Sequence, residues 1–208
     1  MQKTLLALCA IVPLVFNPVH AQNSVQHLKQ FLQGITAYSA EFEQVVLDEN
    51  LRQIDEAGGT LTILRPGRFR WDYYPPAEQQ IVGDGEKVWI YDIELRQVIV
   101  RDQQESLGQT PAILLAGESV NLNHYTLEDK GKQGSVEWVK ITPKSDSTGF
   151  EDIQVGFVEG SLSVMVLVDG LGQTTRINFN NTIENPSLPA EQFEFTVPPG
   201  TDVIDETQ

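Results

Sequence analysis

Apolar and polar residues alternate along much of this chain at the two-residue period of a half-buried β-strand. The pattern is clearest within residues 59–101. Its apolar positions there include Leu61, Ile63, Phe69, Trp71, Tyr73, Val98 and Val100. Pro66-Gly67 suits the centre of a type II turn and Asp84-Gly85 suits a primed hairpin turn. We therefore predict one curved antiparallel sheet built around this stretch.

One segment inside this stretch is apolar on both faces. In Lys87 to Tyr91, Val88 and Ile90 alternate with Trp89 and Tyr91. A strand that is apolar on both sides needs a cover on both sides. We therefore expect part of the chain outside the sheet to cover it.

The strand period also appears before and after the central stretch. The further segments that predict strands are 38–47, 124–127, 136–142, 153–158, 161–168 and 174–179. The chain is 208 residues long and 40% hydrophobic, which fits a single globular domain. The fold class is therefore mainly β, a mostly antiparallel sheet of many strands with two or three short helices.

Two segments have helical spacing instead. Ser24 is the expected N-cap of a helix whose apolar stripe consists of Val25, Leu28, Phe31, Leu32 and Ile35. Residues 110–117 predict a short helix with Thr at the N-cap, Pro at the first position and Gly just past the end. Ile113, Leu114 and Leu115 cover most of the circumference of this second helix. Because such a short helix persists only when docked, it is either a plug on the core or a movable cover.

The first residues have the parts of a secretory signal. Lys3 precedes an apolar run from Leu5 to Phe16, and Val19-His20-Ala21 follows as the expected cleavage site, which ends in the small residue Ala21. We predict a signal peptide at residues 1–21 and a single domain at 22–208. Cys9 lies too early in the apolar run for a lipoprotein signal, and its removal leaves no cysteine for disulfides, thiol catalysis or metal binding.

Charge and motif content argue against several functions. A formal net charge of −15 opposes binding to nucleic-acid phosphates and to anionic membranes. The sequence has no G-x-S-x-G elbow, H-E-x-x-H pair or phosphate-binding loop, and only two histidines lie beyond residue 21, His27 and His124. A glycosidase carboxylate pair is not excluded by counting acidic residues. We expect no catalytic residues, no metal and no cofactor, which leaves a binding surface.

Several motifs together resemble a known family. They are Arg65-Pro66-Gly67-Arg68-Phe69-Arg70-Trp71-Asp72, Asp84-Gly85, Val88-Trp89-Ile90-Tyr91-Asp92, Thr110-Pro111 before an apolar helix, Ile141-Thr142-Pro143-Lys144, and Phe193-Glu194-Phe195 before Pro198-Pro199-Gly200. In this order they closely resemble the bacterial outer-membrane lipoprotein carrier protein, the LolA family. Gly67 and Arg68 depart from its pattern, at variable positions.

The resemblance implies a fold and a role. The fold is an unclosed, strongly curved antiparallel β-barrel with an N-terminal helix and short helices that form a lid over the concave face. The role is that of a monomeric, non-enzymatic chaperone in the periplasm of a Gram-negative bacterium. It would accept acylated lipoproteins from an ATP-driven inner-membrane release complex and pass them to an outer-membrane receptor lipoprotein. Alternatives are a receptor or a lipid-sensing domain of the same fold, or a periplasmic hydrolase.

The resemblance also suggests site residues. We expect the aromatic residues to line the lipid-binding cavity and the short helix to form the lid. The cavity residues would be Phe69, Trp71, Tyr73, Trp89 and Tyr91, and the lid residues Ile113, Leu114 and Leu115. The family's matching arginine is Arg65, which would latch the lid. A two-residue Pro66-Gly67 loop pairs Arg65 with Arg68 and points it away from Phe69, whereas a longer or irregular loop turns it inward, so the spacing alone leaves its face open.

Overall fold

The structure is a computed structural model that describes residues 23–104, 106, 115, 116, 122–144 and 149–207. The predicted signal peptide at 1–21 lies outside the described residues, as do Ile113 and Leu114 of the predicted lid. Among the described helices, none is both long enough and apolar enough to cross a membrane.

The described strands form one unclosed sheet with β7 and β12 at its edges, in the order β12-β6-β5-β4-β3-β2-β1-β11-β10-β9-β8-β7. The strands are β1 (Ala37–Leu47), β2 (Gln53–Leu64), β3 (Arg68–Tyr73), β4 (Gln79–Asp84), β5 (Lys87–Asp92), β6 (Gln97–Asp102), β7 (Tyr125–Gln133), β8 (Val136–Pro143), β9 (Phe150–Val158), β10 (Ser161–Asp169), β11 (Thr174–Glu184) and β12 (Asp202–Asp205). Neighbouring strands are antiparallel, except that β12 pairs with β6 in parallel. Helix α1 spans Ser24–Gly34, and two 3₁₀ helices span Leu122–His124 and Ala190–Phe193. The mainly β prediction is therefore confirmed.

The sheet curves around one apolar core. Side chains from strands as far apart in the sheet as β5 and β8 join a single buried cluster with α1, for example Val88 and Val139. Leu115 and Ala116, which are helical, belong to the same cluster. We call the side of the sheet that carries this core the concave face, and the other side the convex face.

The convex face carries a second, smaller apolar cluster. Val82, Val98, Val100 and Phe193 are fully buried, yet they lie apart from the concave core. The segment that leads into β12 covers them, since its 3₁₀ helix lies against β3 and β4. The predicted second cover for β5 is thus the C-terminal part of the chain.

Helix α1 packs on β7 and β8, at the β7 edge of the sheet. Asn23, not Ser24, is its N-cap, because the Asn23 side chain accepts a hydrogen bond from the Val25 amide at 2.8 Å. The Ser24 hydroxyl, which is buried, instead has two acceptors for its single proton within hydrogen-bond distance, Asp129 Oδ1 at 2.5 Å and the Trp138 carbonyl at 2.9 Å. The predicted cap was therefore wrong by one residue, because Ser24 makes tertiary contacts that its local sequence does not specify.

Candidate functional site

An aromatic row on β3 forms the centre of the concave face. Phe69 and Trp71 are 0% and 2% exposed, and Tyr73 is half-buried at the end of the row. Trp71 stacks on Tyr73 with ring centroids 6.2 Å apart, and Phe42 of β1 meets the Trp71 ring edge to face at 5.1 Å. The structure thus brings Phe69, Trp71 and Tyr73 together on the face that α1 covers. Their part in binding a ligand stays a prediction.

Trp89 and Tyr91 do not belong to this face, which corrects the predicted site. Trp71 pairs with Ile81, which pairs with Ile90, so Ile90 shares the face of Trp71. Trp89 and Tyr91 alternate with Ile90 along β5 and therefore point to the convex face.

The partner of both aromatic residues on the convex face is Phe195. The Trp89 ring stacks on the Phe195 ring at 5.5 Å, and the Tyr91 ring lies 5.9 Å from it. The large rings of β5 lie on the convex face because the C-terminal cover leaves room for them there. Its phenylalanines accept the large rings of β5, while the smaller Val88 and Ile90 face the crowded concave core.

The predicted stripe of α1 covers one part of the concave face. Leu28, Phe31 and Leu32 are buried against the sheet, and Ile35 just after the helix is buried as well. The Phe31 ring meets Tyr38 at 5.9 Å and Phe157 at 5.4 Å, both edge to face. The interpretation of this stripe as a packing surface is confirmed.

Only the end of the predicted lid helix falls within the described residues. Leu115 and Ala116 are helical and are 2% and 0% exposed, and both pack on the concave core. The two apolar covers of the concave face, α1 and this helix, therefore lie over the same cluster.

Arg65 links the two covers. Its Nε donates to the Leu115 carbonyl at 2.9 Å, and its Nη1 donates to the Leu32 carbonyl of α1. Burial lowers the pKa of the Arg65 guanidinium from its ordinary value. The side chain thus points inward, which settles the direction that the spacing alone left open.

The inward direction of Arg65 follows from the length of its turn. Leu64 pairs with Arg68, so the loop has three residues, Arg65, Pro66 and Gly67, which is the longer of the two alternatives. The Gly67 amide donates to the Ala116 carbonyl at 2.8 Å. The Arg65–Pro66 peptide bond is cis. This turn therefore binds the carbonyls of two consecutive lid residues.

Gln103 holds the same turn from the other side and was missed by the sequence analysis. Its Nε2 donates to the Gly67 carbonyl at 2.7 Å, and its Oε1 accepts from the Gly85 amide at 3.3 Å. Gln103 is 7% exposed and is the first residue after β6. Nothing in the local sequence distinguishes it from the exposed Gln104 beside it, because only the fold brings the two turns together.

We call the apolar side chains of β3 on the concave face the apolar floor. It ends at Tyr73, at the opposite end of β3 from the Arg65 turn. Beyond it lies a pocket of about 230 Å³ lined by Gln44, Asp55, Glu56, Ala57, Tyr73, Ala77, Glu78, Gln79, Asp92 and Glu94. The Tyr73 hydroxyl donates to Gln44 Oε1 at 3.3 Å. Burial, followed by the nearby Asp55 carboxylate, raises the pKa of Tyr73 above its ordinary value. Tyr73 thus marks the boundary between an apolar and an acidic part of the concave face.

Comparisons with known proteins agree with this geometry. Residues 33–196 match the family described as "Outer membrane lipoprotein carrier protein LolA". A protein named "Outer-membrane lipoprotein carrier protein" from Dechloromonas aromatica is 44% identical over 206 residues, which are 99% of this chain and 97% of the relative. A protein of the same name from Nitrosospira multiformis is 42% identical over 194 residues, 93% of this chain and 94% of the relative.

A solved structure supports the fold independently of sequence. An uncharacterized conserved protein from Thermus thermophilus has a TM-score of 0.55 to this chain at 12% identity. The match covers 88% of this chain and 99% of that one. At this identity the likeness concerns the fold alone.

Proposed function

Because this chain belongs to the LolA family of outer-membrane lipoprotein carrier proteins, we propose that it is the periplasmic shuttle of a Gram-negative bacterium. It carries lipoproteins by covering their acyl chains and has no catalytic activity of its own. It takes them from an ATP-driven release complex in the inner membrane and passes them to a receptor lipoprotein in the outer membrane.

The energetics of acyl chains make such a carrier necessary. Exposing an acyl chain to water costs about 0.8 kcal/mol per methylene, so a chain of about 16 carbons costs roughly 12 kcal/mol. A lipoprotein therefore does not leave one membrane for the other at a useful rate without a protein that covers its chains. A carrier must also release its cargo, so its affinity has to stay well below this gross value.

One observation carries the proposal: the concave face is apolar along β3 and is closed by two separate covers that Arg65 ties together. We propose that cargo displaces the predicted lid helix at residues 110–117, of which the structure describes Leu115 and Ala116. The apolar contacts of the lid would then be exchanged for those of the acyl chains, so the net binding energy is much smaller than the transfer energy. Phe69, Trp71 and Tyr73 would form the floor on which the chains lie.

A displacement experiment tests this function. An apolar fluorescent probe is expected to bind the purified protein, and an acylated peptide is expected to displace it. The matched control is the same peptide without its acyl chains, which should leave the probe bound. Folded protein that binds neither the probe nor the acylated peptide would contradict a ligand cavity on the concave face and would leave the aromatic row as a dry core.

A further inference from the structure

The buried polar atoms without a partner are distributed unequally between the two faces. Among the described residues, four buried side-chain atoms lack a hydrogen bond, on Arg65, Trp71, Asp72 and Asp152. The two aspartate oxygens are acceptors, and their carboxylates alternate with concave residues, so they belong to the convex face. The two atoms on the concave side, Arg65 Nη2 and Trp71 Nε1, are both donors.

The unpaired indole of Trp71 is the more unusual of these donors. A buried indole N–H usually has a partner, since leaving it unpaired in apolar surroundings costs the desolvation of the group. Trp71 is 2% exposed and lies against the rings of Phe42 and Tyr73. By contrast, Trp89 on the convex face donates its Nε1–H to Asp84 Oδ2 at 3.0 Å.

The surroundings of Trp71 restrict which acceptor fits. A carboxylate or a phosphate oxygen would bring an uncompensated charge among aromatic rings, which is costly. A neutral carbonyl oxygen accepts a hydrogen bond without that cost. Every acyl chain has one such carbonyl, at the point where it joins the rest of the lipid by an ester or an amide bond.

We propose that the Trp71 indole N–H binds the ester or amide carbonyl at the head of a bound acyl chain. This inference rests on the proposed function, because it assumes that acyl chains occupy the concave face. The hydrogen bond sets how far the chain enters, so that the methylenes lie on the apolar floor and the polar part of the lipid remains outside it. Trp71 is thereby a residue that distinguishes acyl from alkyl chains.

A pair of lipids that differ by one carbonyl tests the proposal. Palmitoyl lysophosphatidylcholine holds its chain by an ester, and hexadecyl lysophosphatidylcholine holds a chain of equal carbon number by an ether. Below their micelle concentrations, the wild-type protein should bind the ester about fivefold more tightly, the effect of about one net hydrogen bond. Trp71→Phe should bind both lipids equally, at the affinity of the wild type for the ether.

Matched controls and the contrary outcomes separate this inference from the proposed function. Trp89→Phe removes an indole from the convex face and should keep the ester preference. Equal binding of both lipids by the wild type would overturn the inference alone, as would an ester preference that survives in Trp71→Phe. Failure of the wild type to bind either lipid would instead overturn the proposed function, and the inference with it.

A second measurement does not depend on the folding of Trp71→Phe. The chain has three tryptophans, so wild-type protein labelled with ¹⁵N at the indoles gives three N–H resonances, which Trp89→Phe and Trp138→Phe assign by elimination. The ester lipid should shift the Trp71 resonance downfield and slow its exchange with water, and the ether lipid should not. An identical Trp71 resonance with both lipids would overturn the proposal.

Discussion

The two faces of β5 are covered in different ways. On the convex face, Trp89 and Tyr91 pack on Phe195, and the cover continues into β12, which pairs along β6. On the concave face, the lid residues Leu115 and Ala116 have no sheet pairing among the described residues, and the turn at 65–67 holds their carbonyls.

From this difference we propose which of the two covers moves. A segment anchored by backbone pairing and ring stacking opens only when the sheet edge unfolds, whereas a helix end held by a few hydrogen bonds opens locally. We therefore expect the segment that leads into β12 to be part of the stable fold, and we propose that the predicted lid, unlike α1, is exchangeable. On this proposal, the chain completes its core on the convex face and can expose part of the concave face to a ligand.

The largest expected effect is on stability, and it should differ between the two covers. Phe193→Ala removes a ring that is 1% exposed from the convex cluster and should lower the free energy of unfolding by about 3–5 kcal/mol. Leu115→Ala, at a residue that is 2% exposed on the predicted lid, should lower it by less than about 1 kcal/mol if the lid opens locally as we propose.

Urea unfolding of both variants, followed by circular dichroism, measures this difference. Phe195→Ala, which removes the ring that stacks on Trp89, serves as a second variant of the convex cover. If Leu115→Ala cost as much stability as Phe193→Ala, the lid would be a fixed plug of the core, and the distinction between the two covers would fail.

The next effect is on function. Arg65→Leu removes the donors to Leu115 and Leu32 and so destabilises the closed, empty state. By linkage, this strengthens the binding of cargo and impedes its release. We expect folded protein that still accepts lipoprotein but transfers it to the outer-membrane receptor about tenfold more slowly, as measured by the appearance of cargo on the receptor.

Arg68→Leu is the matched control for charge. Arg68 closes the same turn, but it alternates with Phe69 and points to the convex face, so its loss should leave transfer unchanged. Normal transfer by Arg65→Leu would contradict its role in holding the lid and would leave it as a structural turn residue.

A smaller effect is expected from Gln103→Met, which keeps the size of the side chain but removes its bonds to Gly67 and Gly85. The turn should loosen, and the Gly67 amide, which donates to Ala116, should exchange with deuterium about fivefold faster. Gln104→Met, at an exposed neighbour, is the control. In the Arg65→Leu background, Gln103→Met should slow transfer no further, because Gln103 acts through the same turn. An additive loss of transfer in the double variant would show that Gln103 acts independently of Arg65.

Local periodicity predicted the strands well, but not the contacts between distant segments. The alternation in 153–158 and 161–168 placed β9 and β10 within a few residues of their bounds. β12 was missed, because its short acidic sequence forms a strand only by pairing with β6, about a hundred residues earlier.

For the candidate site as well, the sequence predicted what depends on local periodicity and not what depends on contacts between distant segments. Phe69, Trp71 and Tyr73 share a face by parity alone, so they could be grouped from the sequence. Whether Trp89 or Ile90 joined them depended on the register through β4 and on the C-terminal cover, neither of which has a local signal. The inward direction of Arg65 likewise depended on a three-residue loop.

The most direct test of the account is the amount of lipoprotein that the protein carries when it is isolated from the periplasm. Native mass spectrometry of the wild type and of Arg65→Leu gives the fraction of each with cargo bound. We expect a small loaded fraction for the wild type and a much larger one for Arg65→Leu, because the variant takes up cargo but releases it poorly. If neither protein carried lipoprotein, or if both carried equal amounts, the claim that Arg65 holds an exchangeable cover over an acyl-binding face would be contradicted.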